Sequence, residues 1–447
     1  MPPPPYTEAE ARALLQRVLA RSKAEGCEAR LQATRGGNIR FARNAVSTSG
    51  VIEDASIVVR SRYGTRVGTA TINQFDDESL TRAVRRAEEL ARVAPPDPEL
   101  QPLLEPQQYA RPRGAFVDGT AGITPALRAE AAARSIAKAK AQGCVAAGFL
   151  SDAAGWRAQL NTRGNFGYFA DTGATYSITA RTETGTGSGW AGQVVNDIAR
   201  LDAEAAAAVA SEKAVASREV RTLEPGNYTV ILEPAAAVDL IQQLVLNNGA
   251  RAADEGRSFL SKPGGGTRAG QKLVDGRVTI YSDPASADVP CTPWDDEGLP
   301  RVRTVWIEKG IVRAMGYTRY WAEKQGRKPV AAPGNWVMEG SSQSLENLIR
   351  GTERGVLVTR TWYLRPVDPQ TLLYTGLTRD GTFYVEQGRI AHAVKNFRFN
   401  ESPVIMLNKL DALGRPVRVQ GAETQGLVMV PPMRIRDFAF TSLSDAV

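Results

Sequence analysis

An internal repetition limits the folds open to the first half of this chain more than any other feature. Lys23-Ala24-Glu25-Gly26-Cys27 recurs 117 positions on as Lys140-Ala141-Gln142-Gly143-Cys144. The surroundings repeat as well. Leu14, Leu15, Val18 and Leu19 among charges have the spacing of an amphipathic helix over 8–24, and alternating segments at 29–33, 39–45, 55–62 and 64–72 read as strands before a helix over 78–93. The second copy gives a helix over 125–141, strands near 145–151, 156–162, 166–171 and 175–182, a glycine-rich turn at 185–189 and a helix over 202–214. At both junctions a glycine is expected to end the helix at positive φ, and Cys27 and Cys144 are expected to be small core residues.

Between the copies, Pro95, Pro96, Pro98, Pro102, Pro106 and Pro112 are too dense for a helix or a central strand, so this stretch reads as a linker or packed strap. The texture changes near Glu224-Pro225-Gly226. Beyond it lie one helix over 235–248, a short helix over 344–350, and many short strands set off by Asp275-Gly276, Lys309-Gly310, Asp380-Gly381 and Gln387-Gly388. The strands 382–386 and 389–394, joined by Gln387-Gly388, make the clearest hairpin. The expected fold class is α+β, with duplicated helix–antiparallel-strand–helix units followed by a mostly antiparallel β domain. The expected boundaries are an amino-terminal domain over 6–94, a linker over 95–120, a central domain over 121–223 and a carboxy-terminal domain over 226–447.

A length of 447 residues with 43% hydrophobic and 23% charged residues suits a globular protein of several units. The net charge of +7 is spread, with Arg82, Arg85 and Arg86 interleaved with Glu78, Glu88 and Glu89, so no basic stripe argues for nucleic acid. Three cysteines without CxxC spacing argue against a disulfide framework or structural zinc. Met1 to Pro5 lacks the basic and apolar stretches of a signal peptide, and no apolar run of ~18 residues could span a bilayer. A cytoplasmic location is expected.

Chemistry is constrained by a single histidine, His392, on the hairpin strand. A Ser-His-Asp machine would have to use it, and no GxSxG turn presents a nucleophile. Asp295-Asp296-Glu297 is the densest acidic cluster of the second half, but three consecutive acids converge on one ion only if the backbone turns sharply. Pro263 to Thr267 and Gly185 to Gly189 lack the patterns of phosphate loops. The segment Lys395-Asn396-Phe397-Arg398-Phe399-Asn400-Glu401-Ser402-Pro403 sets amide, guanidinium and carboxylate groups between aromatics, with two readings. Asn396, Arg398, Asn400 and Glu401 clamp a peptide or partner strand, or Arg398 and Glu401 pair internally to lock the hairpin exit.

Gly381-Thr382-Phe383-Tyr384-Val385-Glu386-Gln387-Gly388-Arg389-Ile390, followed by Val394 to Pro403, resembles the carboxy-terminal signature of the TldD/PmbA family. Asn38 to Asn44 and Gly64 to Ala70, before a charged helix, are similar to that family's amino-terminal domain. The resemblance spans nearly the whole chain and matches the length of the TldE, or PmbA, branch. It implies a cytosolic metallopeptidase of paired subunits acting on small or unfolded peptides, in which a TldD-like subunit binds zinc through an HExxxH helix inside a shared cavity. The corresponding helix here, Ala235 to Asn248, holds no histidine and no glutamate, so no ligand or general base carries over. Val238, Leu240, Ile241, Leu244 and Val245 are left for packing, and Gln242, Gln243 and Asn247 for polar contacts.

The resulting expectation is a TldE-like, non-catalytic subunit with no metal or cofactor of its own, zinc in a TldD-like partner, peptides as substrate, no membrane and a homodimer as a possible isolated state. Two alternatives stand beside it. One is a regulatory, peptide-binding pseudoenzyme of the gyrase-modulator kind, and the other is a hydrolase using Asp295, Asp296 or Glu297 with a hard metal.

Overall fold

The structure, a computed structural model, describes residues 6–424 and 426–445; Met1 to Pro5, read above for a leader, lies outside them. The first unit comprises α1 (Glu8–Leu19), β1 (Gly26–Ala42), β2 (Ala45–Tyr63), β3 (Arg66–Ile72) and α2 (Asp77–Val93). A capping box starts α1: Thr7 Oγ1 accepts from the Glu10 amide at 3.2 Å while the Glu10 carboxylate accepts from the Thr7 amide at 2.8 Å. The helix buries Ala11, Leu14, Leu15 and Val18. It stops at Leu19 rather than near 24, because Arg21 and Ser22 close turns back onto Val18 and Leu19. Gly26 therefore opens a strand and needs no positive φ, whereas Gly143 ends its helix at φ +66°.

The second unit repeats the order with α3 (Pro125–Ala141), β4 (Cys144–Asn161), β5 (Phe166–Thr182), β6 (Ser188–Val195) and α4 (Ala203–Ala216). The two units share one antiparallel sheet of order β3-β2-β1-β4-β5-β6, joined where β1 pairs with β4 from Glu28↔Asn161 to Phe41↔Gly148. Strands expected as separate pieces are single long strands. Gly36 faces Ala153 and Arg35 faces Ala154 in mid-ladder, so the small residues that read as strand ends mark the crossing of the two units. Arg128 of α3 pins β4 through a bidentate pair with Asp152 at 2.5 and 2.7 Å, both side chains being under 5% exposed.

The same close approach recurs in both units. A Cβ on Gly68 of β3 would lie 2.1 Å from the Ala87 carbonyl of α2, and one on Gly189 of β6 would lie 2.1 Å from the Ala210 carbonyl of α4. Only glycine lets each helix lie this low on its third strand.

Residues 95–117 form a packed strap. Leu103 is buried, the Arg62 guanidinium donates to the Gln101 carbonyl, Asn161 Nδ2 donates to the Leu104 carbonyl, and Tyr109 packs on Trp294 with ring centroids 5.2 Å apart.

The carboxy-terminal half begins with β7 (Gly226–Leu232) and α5 (Pro234–Leu246). A ten-stranded sheet runs in the order Thr361–Asp368, Leu373–Thr378, Asn396–Glu401, Met433–Ser444, β7, Arg354–Val358, Thr382–Glu386, Arg389–Val394, Val220–Arg221, with Leu410–Leu413 beside Met433–Ser444. A six-stranded sheet centres on Ile280–Ser282 and Trp336–Met338. Most pairings are antiparallel, but β7 runs parallel to Arg354–Val358, Val428–Val430 to Trp336–Met338, and Val220–Arg221 to Arg389–Val394. The expected hairpin forms, with Gln387 and Gly388 at φ +48° and +74° and a bulge where the register shifts between Val385↔Ile390 and Tyr384↔His392. Among the described residues no helix is long and apolar enough to cross a membrane.

Candidate functional site

The two halves meet along a polar seam whose hub is Asp380. Its side chain is 1% exposed; Oδ1 accepts from Ser188 Oγ of β6 at 2.7 Å, and Oδ2 accepts from Arg360 Nη1 at 2.8 Å with Arg379 Nε 3.8 Å away. The Arg360 guanidinium lies 4.4 Å from the Trp190 ring centre and 4.9 Å from that of Trp362, and the Arg379 guanidinium lies 5.0 Å from Trp362. Burial lowers the pKa of Arg360, and the Asp380 carboxylate opposes the shift.

Asp380-Gly381, read in sequence as a turn pair between short strands, lies between two strands that do not pair with each other: Leu373–Thr378 and Thr382–Glu386 belong to different ladders of the same sheet. Asp380 takes φ +56°, held by Thr359 Oγ1 donating to the Asp380 and Gly381 carbonyls. A cavity of about 140 Å³ opens beside the hub, lined by Thr186, Ser188, Ser217, Thr382, Lys395 and Asn396 among others.

Helix α5 approaches the seam from the carboxy-terminal side. Ala235 to Gln242, Leu244 and Val245 are all buried, as expected for a helix enclosed on every side. Each large aliphatic among them contributes about 1.5–3 kcal/mol by leaving water. One acid interrupts this run. Asp239, 1% exposed, accepts from the amides of Ala422, Glu423 and Thr424 at 2.9, 3.2 and 2.8 Å and from Thr424 Oγ1 at 2.6 Å. Burial pushes its pKa up, and these four donors oppose the shift. Gln243 Oε1 accepts from the Tyr374 hydroxyl at 2.8 Å, and Thr361 Oγ1 donates to the Ala236 carbonyl at 3.2 Å.

The residues singled out from sequence divide between two faces. Asn396–Glu401 is an interior strand between Leu373–Thr378 and Met433–Ser444, so neither of its edges is open to a peptide backbone. Asn396 faces the hub, its Oδ1 accepting from Thr378 Oγ1 at 3.2 Å and Thr382 Oγ1 at 2.8 Å. Arg398 and Asn400 are exposed on that face, while Phe397, Phe399 and Glu401 are buried on the other. Arg398 and Glu401 are three residues apart on a strand and point oppositely; Glu401 lies 3.8 Å from Lys409 Nζ instead. Burial raises the Glu401 pKa.

His392 stacks on Tyr384 with ring centroids 5.4 Å apart. Asp295 Oδ1 accepts from the Glu297 and Leu299 amides at 3.0 and 2.9 Å, whereas Asp296 is exposed and Glu297 Oε2 accepts from the Arg319 amide at 2.9 Å. The three acids diverge, and among the described residues no group of three or more His, Cys, Asp or Glu could hold a metal ion.

Three segments of the chain match, in order, the PmbA/TldA metallopeptidase domain 1 (27–91), central domain (117–218) and C-terminal domain (225–442). The chain belongs to the PmbA/TldD family. It is similar to the Metalloprotease PmbA of Escherichia coli O157:H7, 23% identical over 438 residues and 93% of each chain. A Metalloprotease of Methanothermobacter thermautotrophicus is 23% identical over 288 residues, 58% of this chain and 60% of that one. TldE from Thermococcus kodakarensis superposes with a TM-score of 0.83 at 19% identity over 96% of this chain and 99% of that one. A Thermotoga maritima protein provisionally named a modulator of a DNA gyrase gives 0.85 at 17% identity, covering 96% and 100%.

A metallopeptidase family raises the question of zinc. Tetrahedral sites draw on histidine, thiolate and free carboxylate. On α5 the one carboxylate is occupied by four donors of the 422–424 loop, and Gln243 is engaged by Tyr374. These residues do not fit zinc.

The hub was hidden in the sequence because Asp380-Gly381 looks like punctuation and Arg360-Thr361-Trp362 matches no motif. Asp239 left a signal that could have been read: a lone acid inside an apolar helix needs buried partners.

Proposed function

We propose that this PmbA/TldD family member is a TldE-like, non-catalytic subunit of a cytosolic, heteromeric zinc metallopeptidase that processes small or unfolded peptides. It completes the cavity around the active site of a TldD-like, HExxxH-bearing partner. One observation carries this reading: α5 is engaged throughout in packing and in holding the 422–424 loop through Asp239. A helix so committed is scaffold, suited to supporting a partner's metal helix and the wall of a shared chamber.

The test is reconstitution. The purified chain alone should be inactive on unfolded peptides, and addition of a TldD-like partner should give hydrolysis abolished by a chelator. Robust chelator-resistant cleavage by this chain alone would overturn the proposal. Capture of a different client without any HExxxH-bearing protein would favour a regulatory pseudoenzyme, a reading supported by the provisional gyrase-modulator name of a fold neighbour.

A further inference from the structure

Strand β2 is paired with β1 throughout, from Ala42↔Ala45 to Gly26↔Arg62, but on its other side β3 covers only Ile57 to Tyr63. The outer edge over 45–56 is therefore bare of a neighbouring strand. Val46, Val51 and Ile52 on this stretch are 52%, 67% and 52% exposed. From Asn44 to Ile52 the sequence holds neither a charge nor a proline, the residues that commonly guard an edge. The edge strand of the carboxy-terminal sheet, Thr361–Asp368, is guarded by contrast, with Pro366 and two register shifts. A long edge left unguarded is one at which another strand pairs.

The chemistry of this stretch says which strand. Arg43-Asn44-Ala45-Val46 at one end is complementary to Val51-Ile52-Glu53-Asp54 at the other. Laid antiparallel against its own copy, the strand sets Val46 opposite Val51, Ala45 opposite Ile52 and Arg43 opposite Asp54. A bulge makes that register possible. Arg40 faces Thr48 and Phe41 faces Val46, so Ser47 has no partner on β1. A two-fold axis normal to the sheet requires opposed side chains to share a face, and strand alternation alone would point Val46 and Val51 to opposite faces. With Ser47 looped out, both lie on the face of their β1 partners, Phe41 and Gly37. Ser49 then falls on the axis, opposite itself.

We propose that the β2 edge over 43–54 is a homotypic docking surface, where a second copy of this chain pairs antiparallel about Ser49. The two six-stranded sheets become one. Each copy's β1–β2 turn ends beside the other's Ile57, where β3 takes over the edge. The inference goes beyond the proposed function and does not rest on it, since neither α5 nor the seam supplies a residue.

Sedimentation of the isolated full chain over a range of concentrations should show a monomer–dimer equilibrium. Arg43→Asp and Asp54→Arg each set like charges opposite one another twice per dimer, and each should raise the dissociation constant roughly tenfold. The double variant Arg43→Asp/Asp54→Arg should restore it. Both residues are exposed, and Asp tolerates the φ of +52° at position 43, so the variants should fold. A cross-link reads the register independently. Directly opposed Cα atoms lie about 4.5–5.5 Å apart, within disulfide reach, so Ser49→Cys should give a linked dimer on oxidation and Ser47→Cys should not. The native thiols do not compete: Cys27 and Cys144 are buried, and burial pushes Cys291 up to about 11. A chain that stays monomeric at every concentration would overturn the inference, including one whose β2 edge gains hydrogen-exchange protection only from an added unfolded peptide. So would a dimer indifferent to the charge reversals, a double variant no better than the singles, or equal cross-linking through Ser47→Cys. None of these outcomes bears on hydrolysis with a TldD-like partner, which tests the proposed function separately.

Discussion

Asp239 illustrates how much one side chain can hold. Removing its carboxylate strands three backbone amides and the Thr424 hydroxyl in a dry environment, so Asp239→Ala should cost about 3 kcal/mol in urea unfolding. It should also release the 418–424 loop to limited proteolysis before the rest of the chain; a loop that stays protected would contradict this account. Glu401 sets a pH dependence. Its folded pKa is raised above the ordinary 4.5 by burial, so the folded state keeps a proton that the unfolded state has lost, and stability should fall as pH rises from about that value through the folded pKa. Glu401→Gln should make that decline shallower in urea midpoints measured across the range; an unchanged slope would place the titration elsewhere. Residues of this kind are poorly legible in sequence because their meaning lies in what the fold brings to them. Arg398 and Glu401 look like neighbours on paper, yet strand alternation sends them to opposite faces.

Elements were more legible where the pattern is local. The hairpin over Gln387-Gly388 could be read directly, since two residues able to take positive φ fix the turn and its first two pairs, although the bulge beyond them could not be read. The long strands β1 and β4 could not, because Gly36, Gly37, Ala153 and Ala154 imitate breaks and only their mutual pairing keeps them extended. The run at 185–189 conceals a second lesson. Gly189 reads as turn material, but with Gly68 it belongs to a matched pair of helix-on-strand contacts. Gly68→Ala and Gly189→Ala should each cost about 2–3 kcal/mol by forcing a helix off its strand, measured as comparable drops in melting temperature. A neutral Gly189→Ala would show that the two contacts are not equivalent.

At the scale of the whole molecule, the halves are fastened by the seam and by the strap. Trp294, 7% exposed, packs on Tyr109 of the strap and against Gly167 of β5. Trp294→Ala should cost about 3–5 kcal/mol and split calorimetric unfolding into separate transitions for the two halves. A single transition lowered as a block would show that the seam around Asp380 suffices to couple them. Family, fold class and repetition were visible in the sequence because each is spread over many residues, whereas the seam depends on positions far apart in the chain, such as Ser188 and Asp380.

The single sheet shared by both units also governs how the chain is born. β1 cannot complete its ladder until β4 exists, and 101 residues separate Ala42 from Cys144. At roughly 5–20 residues per second, one edge of the nascent β1 stays bare for about 5–20 s. During that interval its charged residues, Glu28, Arg30, Arg35 and Arg40, guard the edge against the wrong neighbour until the right one leaves the ribosome.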